Sequence, residues 1–310
     1  MIWRKYGKIF SPEEYGFLYA KSPQAIVFDE FVRIYFSDCK HDGKKLISYV
    51  CYVDFSLDFK KILRTEKQII NDGNLGCFDE HGIFPFSPVK VEDKIYAYTS
   101  GWSRRVSVSV ETGIGLAKSE DNGNTFVRVG EGPVLASSIS EPFLVVDGFV
   151  RRFNNQFHMW YIYGKKWKKF QESEEPERIY KIGHATSENG IDWSREGKEI
   201  ISSVLPDESQ ALPCVIYADG KYRMIFCYRY SVDFRRNPKR GYRLGYAESF
   251  DMKIWERKDE VLNFEPDESN WANQMHCYPN MFLIGNEVYL LYNGNEFGKT
   301  GIGLAKLEEW

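Results

Sequence analysis

The sequence lacks a long apolar run, a paired-cysteine motif and a strong charge of either sign. No window approaches the roughly 20 apolar residues that a membrane-spanning helix requires, and the first residues contain no apolar signal-peptide stretch. The 41 basic and 44 acidic residues give a net charge of −3, which argues against a dedicated nucleic-acid binder. We therefore expect a cytoplasmic protein with no membrane, nucleic-acid or obligate protein partner.

Motifs for metals and common cofactors are also missing. The six cysteines include no C-x-x-C pair, and no H-E-x-x-H segment is present. No P-loop occurs, and no glycine-rich segment joins a strand to a helix. We predict no metal and no cofactor, and buried free thiols in a reducing compartment.

What the sequence does contain is a repeat that runs through the whole chain. A segment of the form I/L-G-x-A occurs four times after one degenerate copy, at residues 47–50, 114–117, 182–185, 244–247 and 302–305. Its second positions lie 67, 68, 62 and 58 residues apart. Five units at one period leave no room for another domain, so we predict a single repeat domain over residues 1–310.

Each unit has the pattern of four antiparallel strands. Two apolar segments with a tight turn between them, such as the Asp219-Gly220 turn, precede the motif, and an aromatic-led segment follows it. Helical periodicity is almost absent. The predicted fold is therefore all-β: a five-bladed β-propeller of four-stranded blades.

The N-terminal segment predicts how the ring closes. The fifth unit ends soon after its motif and lacks a fourth strand. Trp3 precedes an apolar pair by six and seven residues, the spacing that follows Trp255 in the fourth unit. We expect the N-terminal strand to complete the last blade, which removes an exposed sheet edge.

Five prolines predict where the inner strands begin: Pro23, Pro85, Pro142, Pro213 and Pro279. Residues beside them and at the ends of the second strands would share one rim of the central channel. Amide, imidazole, guanidinium and aromatic groups there suit a sugar. The substrate-binding candidates are Gln24, His81, Trp102, Gln210, Arg229, His276 and Asn293.

The loops that follow the second strands are basic, at residues 104–105, 165–169 and 235–240. On the funnel side they would attract an anionic or phosphate-bearing sugar. The alternative is that these loops are solvated surface. For the candidate residues themselves, the alternatives are structural ion pairs for the carboxylates and core packing for the histidines.

The repeated I/L-G-x-A strands, with the closing runs at residues 275–280 and 291–298, resemble the five-bladed propeller glycoside hydrolases. That group includes arabinanases, xylosidases, levansucrases and invertases. The sequence is most similar to members found with surface-polysaccharide genes. The resemblance implies a carbohydrate or sugar-phosphate ligand and a glycosidase-like activity.

By position, the resemblance makes Glu141 the general acid and Glu208 its partner carboxylate. The aspartate that the family carries in its first blade is missing at residues 21–25, which leaves Asp38 as a substitute. Glycoside cleavage uses two carboxylates, one protonated and one ionised. The missing aspartate keeps a second hypothesis open: a non-catalytic sugar-binding or polysaccharide-assembly protein.

Overall fold

The computed structural model describes residues 1–173, 175–266 and 269–310. The chain opens with strand β1 (Ile2–Phe10) and a 3₁₀ turn (Pro12–Tyr15), after which nearly all regular structure is strand. The only α-helix among the described residues is α1 (Asp259–Leu262). The fold class predicted from the repeat, an all-β propeller, is confirmed.

Nineteen further strands form the blades, each antiparallel and in chain order from the inside outward. Blade 1 has β2 (Lys21–Val27), β3 (Phe31–His41), β4 (Leu46–Ser56) and β5 (Ile62–Glu66). Blade 2 has β6 (Ile83–Val91), β7 (Lys94–Arg104), β8 (Val110–Ser119) and β9 (Val127–Arg128). Blade 3 has β10 (Phe143–Phe153), β11 (Gln156–Lys168), β12 (Glu177–Ser187) and β13 (Ser194–Arg195). Blade 4 has β14 (Glu208–Ala218), β15 (Lys221–Tyr230), β16 (Arg243–Ser249) and β17 (Glu256–Arg257), and blade 5 has β18 (Cys277–Ile284), β19 (Glu287–Asn293) and β20 (Ile302–Glu309).

The closure predicted from the N-terminal segment is confirmed. Strand β1 pairs antiparallel with β20, with Trp3 opposite Leu307 and Lys8 opposite Gly303. The first strand of the chain is thus the outer strand of the last blade. This pairing joins the two ends of the sequence and gives blade 5 its fourth strand.

The recurring I/L-G-x-A segment is the third strand of every blade, and its small residues have a packing reason. A Cβ on Gly245 would lie 2.5 Å from the ring of Phe226, and one on Gly303 would lie 2.4 Å from Trp271. The glycine therefore leaves space for an aromatic ring that packs over the strand. The alanine that follows, such as Ala247, is fully buried.

Neighbouring blades are tied by tyrosines that reach the next blade's outer turn. Tyr35 of blade 1 donates to the carbonyl of Gly123 in blade 2 at 3.0 Å, and Tyr98 of blade 2 donates to Gly190 in blade 3 at 3.0 Å. Both glycines have positive φ, 77° and 75°. A Cβ on Gly123 would lie 2.0 Å from the Tyr35 hydroxyl, so the turn admits only glycine.

All six cysteines are free, and five of them are buried. The prediction of free, mostly buried thiols is confirmed, with Cys77 half-buried as the exception. Burial raises the pKa of the Cys51 thiol to about 12, so it stays protonated. In the part of the chain that the structure describes, every helix is too short and too polar to traverse a bilayer.

Candidate functional site

Every inner strand carries a β-bulge at the same level, where two residues face one residue of the second strand. Four of the bulged residues have φ between 47° and 59°, and the fifth precedes a cis proline. The bulge turns these residues out of the regular strand pairing. In blade order they are Ser22, Phe84, Asp147, Leu212 and Tyr278.

The bulges correct the expectation that each inner strand starts at a proline. In four blades the proline directly follows the bulged residue and lies inside the strand, at Pro23, Pro85, Pro213 and Pro279. It is tolerated there because the bulge interrupts the hydrogen-bond ladder. Blade 3 differs, because Gly148 occupies this position and Pro142 precedes β10 altogether. The blade 3 residue at the bulge is therefore Asp147, six residues after Glu141.

The bulges form part of the wall of a cavity of about 670 Å³ at the end of the propeller where the inner strands begin. All five blades contribute side chains to it, and the bulged residues Phe84, Asp147 and Tyr278 are among them. A volume in this range suits a small ligand. We call this space the central cavity.

The central cavity is cationic and aromatic. Among the described residues that line it, Asp147 is the only carboxylate. The lining cations are Lys21, Lys45, Arg104, Arg178, Arg229 and Arg235. The lining aromatic residues are Tyr19, Phe84, Trp102, Tyr180, Phe234, Tyr242, Tyr278 and Phe297.

Asp147 is nearly inaccessible, with 6% of its surface exposed. Burial raises the pKa of its carboxyl to about 7, although a hydrogen bond from the Leu212 amide and the positive charge of Arg178 act in the opposite direction. One oxygen accepts from the Leu212 amide at 3.2 Å, and the Asp147 amide donates to the Ser100 hydroxyl at 3.1 Å. These bonds to blades 4 and 2 fix the carboxyl between its neighbours.

Three of the seven residues predicted to bind substrate line the central cavity: His81, Trp102 and Arg229. The imidazole of His81 lies 3.3 Å from the Glu80 carboxylate. The Trp102 indole donates to the Phe84 carbonyl at 2.5 Å, which holds its ring at the wall. Binding by these three residues stays a prediction, and their positions permit it.

The other four are buried outside the cavity wall, at Gln24, Gln210, His276 and Asn293. Gln24 accepts from Asn280 at 2.9 Å, and the Asn293 amide donates to the Ala20 carbonyl at 2.8 Å. Both bonds link blade 5 to blade 1 or to the chain just before it. The position of these four side chains gives no support to their predicted contact with substrate.

The predicted acid Glu141 and its partner Glu208 belong to a structural pattern that repeats from blade to blade. In blades 2, 3 and 4, a carboxylate just before or at the start of the inner strand pairs with an arginine of the fourth strand. That arginine is always opposite the motif alanine. We call these ion pairs the blade clasps; they are Asp79–Arg128 at 2.6 Å, Glu141–Arg195 at 2.6 Å and Glu208–Arg257 at 2.8 Å.

The clasp carboxylates are at most 1% exposed, and hydrogen bonds satisfy them further. Glu141 accepts from the Tyr161 hydroxyl at 2.6 Å, and Glu208 accepts from the amides of Val204 and Leu205 at 3.0 and 3.1 Å. Neither glutamate lines the central cavity. Their catalytic roles stay predictions that this geometry does not support.

Asp38, the third predicted carboxylate, is likewise 1% exposed and lies outside the cavity wall. It accepts from the amides of Leu18 and Tyr19 at 2.9 and 2.8 Å and from the Tyr49 hydroxyl at 2.5 Å. It therefore anchors the segment that leads into blade 1. No pair of carboxylates faces the central cavity among the residues that the structure describes.

The residues that sequence analysis missed are those that depart from the repeat. Asp147 precedes a glycine and reads as a turn in the sequence, although it lies inside β10. Arg178 is the second residue of the long third strand of blade 3 and precedes its motif. Alignment of the five bulges would have identified Asp147, because four blades have proline where Gly148 stands.

No cluster of metal-binding side chains occurs within the described ranges: no three His, Cys, Asp or Glu residues are arranged to hold an ion. No protein-family model matches the chain. It is 32% identical over 317 residues to two Mycobacterium tuberculosis proteins, uncharacterized protein MT1551 of strain CDC 1551 / Oshkosh and uncharacterized protein Rv1502 of strain ATCC 25618 / H37Rv. Each match covers 99% of this chain and 100% of the relative.

Solved glycoside hydrolases share the fold. The GH43_1 enzyme from Xanthomonas citri complexed with xylose has a TM-score of 0.64 at 15% identity, over 99% of this chain and 91% of that one. The endo-arabinase from Bacteroides thetaiotaomicron VPI-5482 has a TM-score of 0.66 at 12% identity, over 94% and 95%. The Bombyx mori GH32 beta-fructofuranosidase BmSUC1 has a TM-score of 0.66 at 14% identity, over 98% and 62%. The resemblance found in the repeated strands is thus confirmed as a shared fold.

Proposed function

This chain belongs to the same family as the two Mycobacterium tuberculosis proteins, and we propose that it is a glycosidase-like, carbohydrate-active enzyme. Its substrate is an anionic sugar bound in the central cavity. The observation that carries the proposal is one buried carboxyl, Asp147, whose pKa burial raises to about 7, in a cavity whose wall also contains six cations and eight aromatic residues. The fold shared with GH43 and GH32 glycoside hydrolases supports a sugar as ligand.

The aromatic and the cationic side chains of the central cavity would contact different parts of the substrate. Aromatic faces such as those of Trp102 and Tyr278 suit the apolar faces of sugar rings, and the cations suit carboxylate or phosphate groups. The indole of Trp102 lies under the guanidinium of Arg178, 5.2 Å from its ring centroid, so both types of contact occur on one wall. A charged sugar would use both at once.

Asp147 supplies the proton transfer. A carboxyl with a pKa of about 7 exists in both forms at neutral pH, so it can protonate a leaving glycosidic oxygen or accept a proton from water. Cleavage of a glycosidic bond normally uses a second acid or base. His81 lines the same cavity and has an imidazole that can fill that role, with Glu80 to orient it.

We place the activity in the cytoplasm, in polysaccharide metabolism, where a reducing environment would keep six cysteines free. The second candidate function is binding without catalysis. It is favoured by one observation: Asp147 has no second carboxylate beside it among the described lining residues. The two candidates share a ligand and differ in turnover.

The test is a screen of the purified chain against oligosaccharides in neutral, uronate and phosphorylated forms, with product release and binding measured separately. Asp147→Asn keeps the hydrogen-bond acceptor for the Leu212 amide and removes the titrating carboxyl. We expect turnover of an anionic substrate that this change lowers by about 100-fold, with little change in substrate affinity.

Three outcomes would overturn the activity, the catalytic residue or the substrate class of this proposal, in that order. Binding without product release, unchanged in Asp147→Asn, would favour the binding protein. Release that survives Asp147→Asn and is lost in Glu141→Gln, with the fold intact, would instead restore the glutamate predicted from the family resemblance. Preference for neutral oligosaccharides would remove the anionic substrate from the proposal.

A further inference from the structure

Three arginines converge on one wall of the central cavity. Arg178 is the second residue of β12 in blade 3, Arg229 lies near the end of β15 in blade 4, and Arg235 follows in the loop after β15. We call them the guanidinium cluster. Desolvation and the positive charges of Arg229 and Arg178 lower the pKa of Arg235, while the negative charge of Glu177 acts in the opposite direction.

Carboxylates lie near the guanidinium cluster without pairing with it: Arg178 acts on Asp147 through its charge, and Glu177 acts in the same way on Arg229 and Arg235. None of the three arginines forms an ion pair with a described residue, whereas the clasp arginines Arg195 and Arg257 each do so at 2.6 and 2.8 Å. Buried charges are ordinarily paired, because an unpaired one loses its hydration without compensation. Arg229 is buried, Arg178 is half-buried and Arg235 is exposed, so this argument applies above all to Arg229. A buried cation without an ion pair, with two further cations beside it, favours a bound anion.

Arg229 is the clearest case of a buried cation without an ion pair, since only 1% of its surface is exposed. One of its terminal nitrogens donates to the Tyr180 hydroxyl at 2.7 Å and the other to the Tyr230 carbonyl at 2.8 Å, while its Nε has no hydrogen-bond partner. Although burial acts to lower its pKa, Tyr180 and Tyr242 hold it above the ordinary value, so the group stays charged. A buried donor without a partner is the expected mark of an absent ligand.

The geometry of the cluster also restricts how the guanidinium groups can move. Arg229 lies 3.4 Å from the ring centroid of Phe234, and Arg178 lies 5.2 Å from that of Trp102. Stacking on aromatic faces orients a guanidinium plane before any ligand arrives. An oriented guanidinium presents paired N–H donors that match phosphate oxygens.

We propose that the guanidinium cluster binds a phosphate dianion, either as the phosphoryl group of the sugar substrate or as inorganic phosphate beside it. Two negative charges and three terminal oxygens match three convergent guanidinium groups better than a single carboxylate does. The inference rests on the proposed sugar function, because it names the anionic group within the same cavity.

The experiment measures binding by calorimetry at neutral pH and low salt, with three probes: inorganic phosphate, a hexose 6-phosphate and a hexuronate. The variants are Arg235→Gln and Arg178→Gln, whose side chains are not fully buried. Arg236→Gln is the matched control, since it removes the same charge next door from a residue that does not line the central cavity.

We expect at least one phosphate probe to bind about tenfold more tightly than the uronate, and each cluster variant to weaken it by about tenfold. Arg236→Gln should stay within about twofold of the wild type. A tighter hexose 6-phosphate would identify a sugar phosphoryl group, and a tighter inorganic phosphate would identify a separate co-substrate. Equal binding of uronate, no phosphate binding, or an equal loss in all three variants would overturn the proposal.

Failure here is distinguishable from failure of the proposed function. If a uronate-containing sugar is turned over in a way that depends on Asp147 and no phosphate binds, the proposed enzymatic function stands and the proposed phosphate site is rejected. If phosphate binds in a way that needs Arg235 and Arg178 but no sugar is bound or cleaved, the proposed phosphate site stands and the proposed carbohydrate function is rejected.

Discussion

The blade clasps and the central cavity use the same kinds of side chain in opposite ways. In the clasps, Glu141 and Glu208 are fully buried, and each has an arginine within 2.8 Å. In the central cavity, Asp147 and the guanidinium cluster lie in one space without forming an ion pair. Charge is paired within each clasp, whereas the three arginines of the guanidinium cluster form no ion pair with a described residue.

This difference separates structural charge from functional charge in a repeat protein. The clasp residues recur with the blade, in the same register against the motif alanine. Asp147, Arg178 and Arg229 have no such counterparts and break the repeat. A charge that recurs holds each blade together, and a charge that occurs once, without a partner, marks a place for a ligand.

The largest effect that tests this comparison is on stability. Glu141→Gln should cost about 3–5 kcal/mol of unfolding free energy, because it leaves Arg195 without its counter-charge. Glu208→Gln should cost less, because Arg257 keeps an ion pair with Asp259 at 2.8 Å. Chemical denaturation measures it, with Asp207→Asn as a control in a half-buried surface pair. A loss below about 1 kcal/mol would mean that the clasps are not structural.

The next effect is on activity. Asp147→Asn should lower turnover by about 100-fold, equivalent to roughly 2.7 kcal/mol of transition-state stabilisation, and leave the protein folded. Steady-state kinetics and a melting curve on the same sample check both parts. If Asp147→Asn unfolds the protein as the clasp variants do, Asp147 belongs with the structural charges.

The pH dependence of stability sharpens the same contrast. The folded-state pKa of Asp147, about 7, lies above its ordinary value, because burial disfavours the ionised form. The protonated carboxyl is therefore stabilising below about pH 4, and this contribution is lost as the pH rises through 7. The stability of the wild type relative to Asp147→Asn should fall by on the order of 3 kcal/mol between pH 4.5 and 8. A difference that is flat with pH would contradict the raised pKa.

The smallest effect concerns the cluster without its ligand. Arg235→Gln should raise the unfolding free energy by roughly 0.5 kcal/mol, because it relieves repulsion from Arg229 and Arg178. Arg236→Gln should change it less. Thermal melts at low salt measure the difference, and added salt should reduce it. Destabilisation by Arg235→Gln would show that the cluster is already compensated.

The repeat made the fold predictable from the sequence, and the site was predictable only in part. Spacing of the I/L-G-x-A segments gave five blades, and the Trp3 segment gave the closing strand, because both depend on local pattern. His81, Trp102 and Arg229 were placed near the cavity by strand order alone. The sequence does not predict Asp147, because only a bulge inside β10 places it at the wall of the central cavity. Pro142 is also misleading, because it looks like the inner-strand proline of the other blades but lies before β10.

The arginines of the clasps were in principle readable, since each is ten or eleven residues after its motif alanine. When these ion pairs are not recognised, the sequence shows Glu141 and Glu208 only as carboxylates without a partner near the start of a strand. Whether a buried carboxylate is neutralised depends on a side chain some 50 residues away in the sequence, as for Glu141 and Arg195. Pairing at that range is set by the folded blade.

The sequence by itself determined the architecture: small residues at a fixed period leave space for aromatic rings, and four strands per period close into a ring. Only the tertiary structure decided which charges are paired. A bulge in β10 brings Asp147 to the central cavity, and the folds of blades 3 and 4 bring the guanidinium cluster to the same cavity, where none of its three arginines forms an ion pair with a described residue. The physical reason is that strand pattern is encoded locally, whereas electrostatic compensation depends on which distant side chains come within a few ångströms of each other.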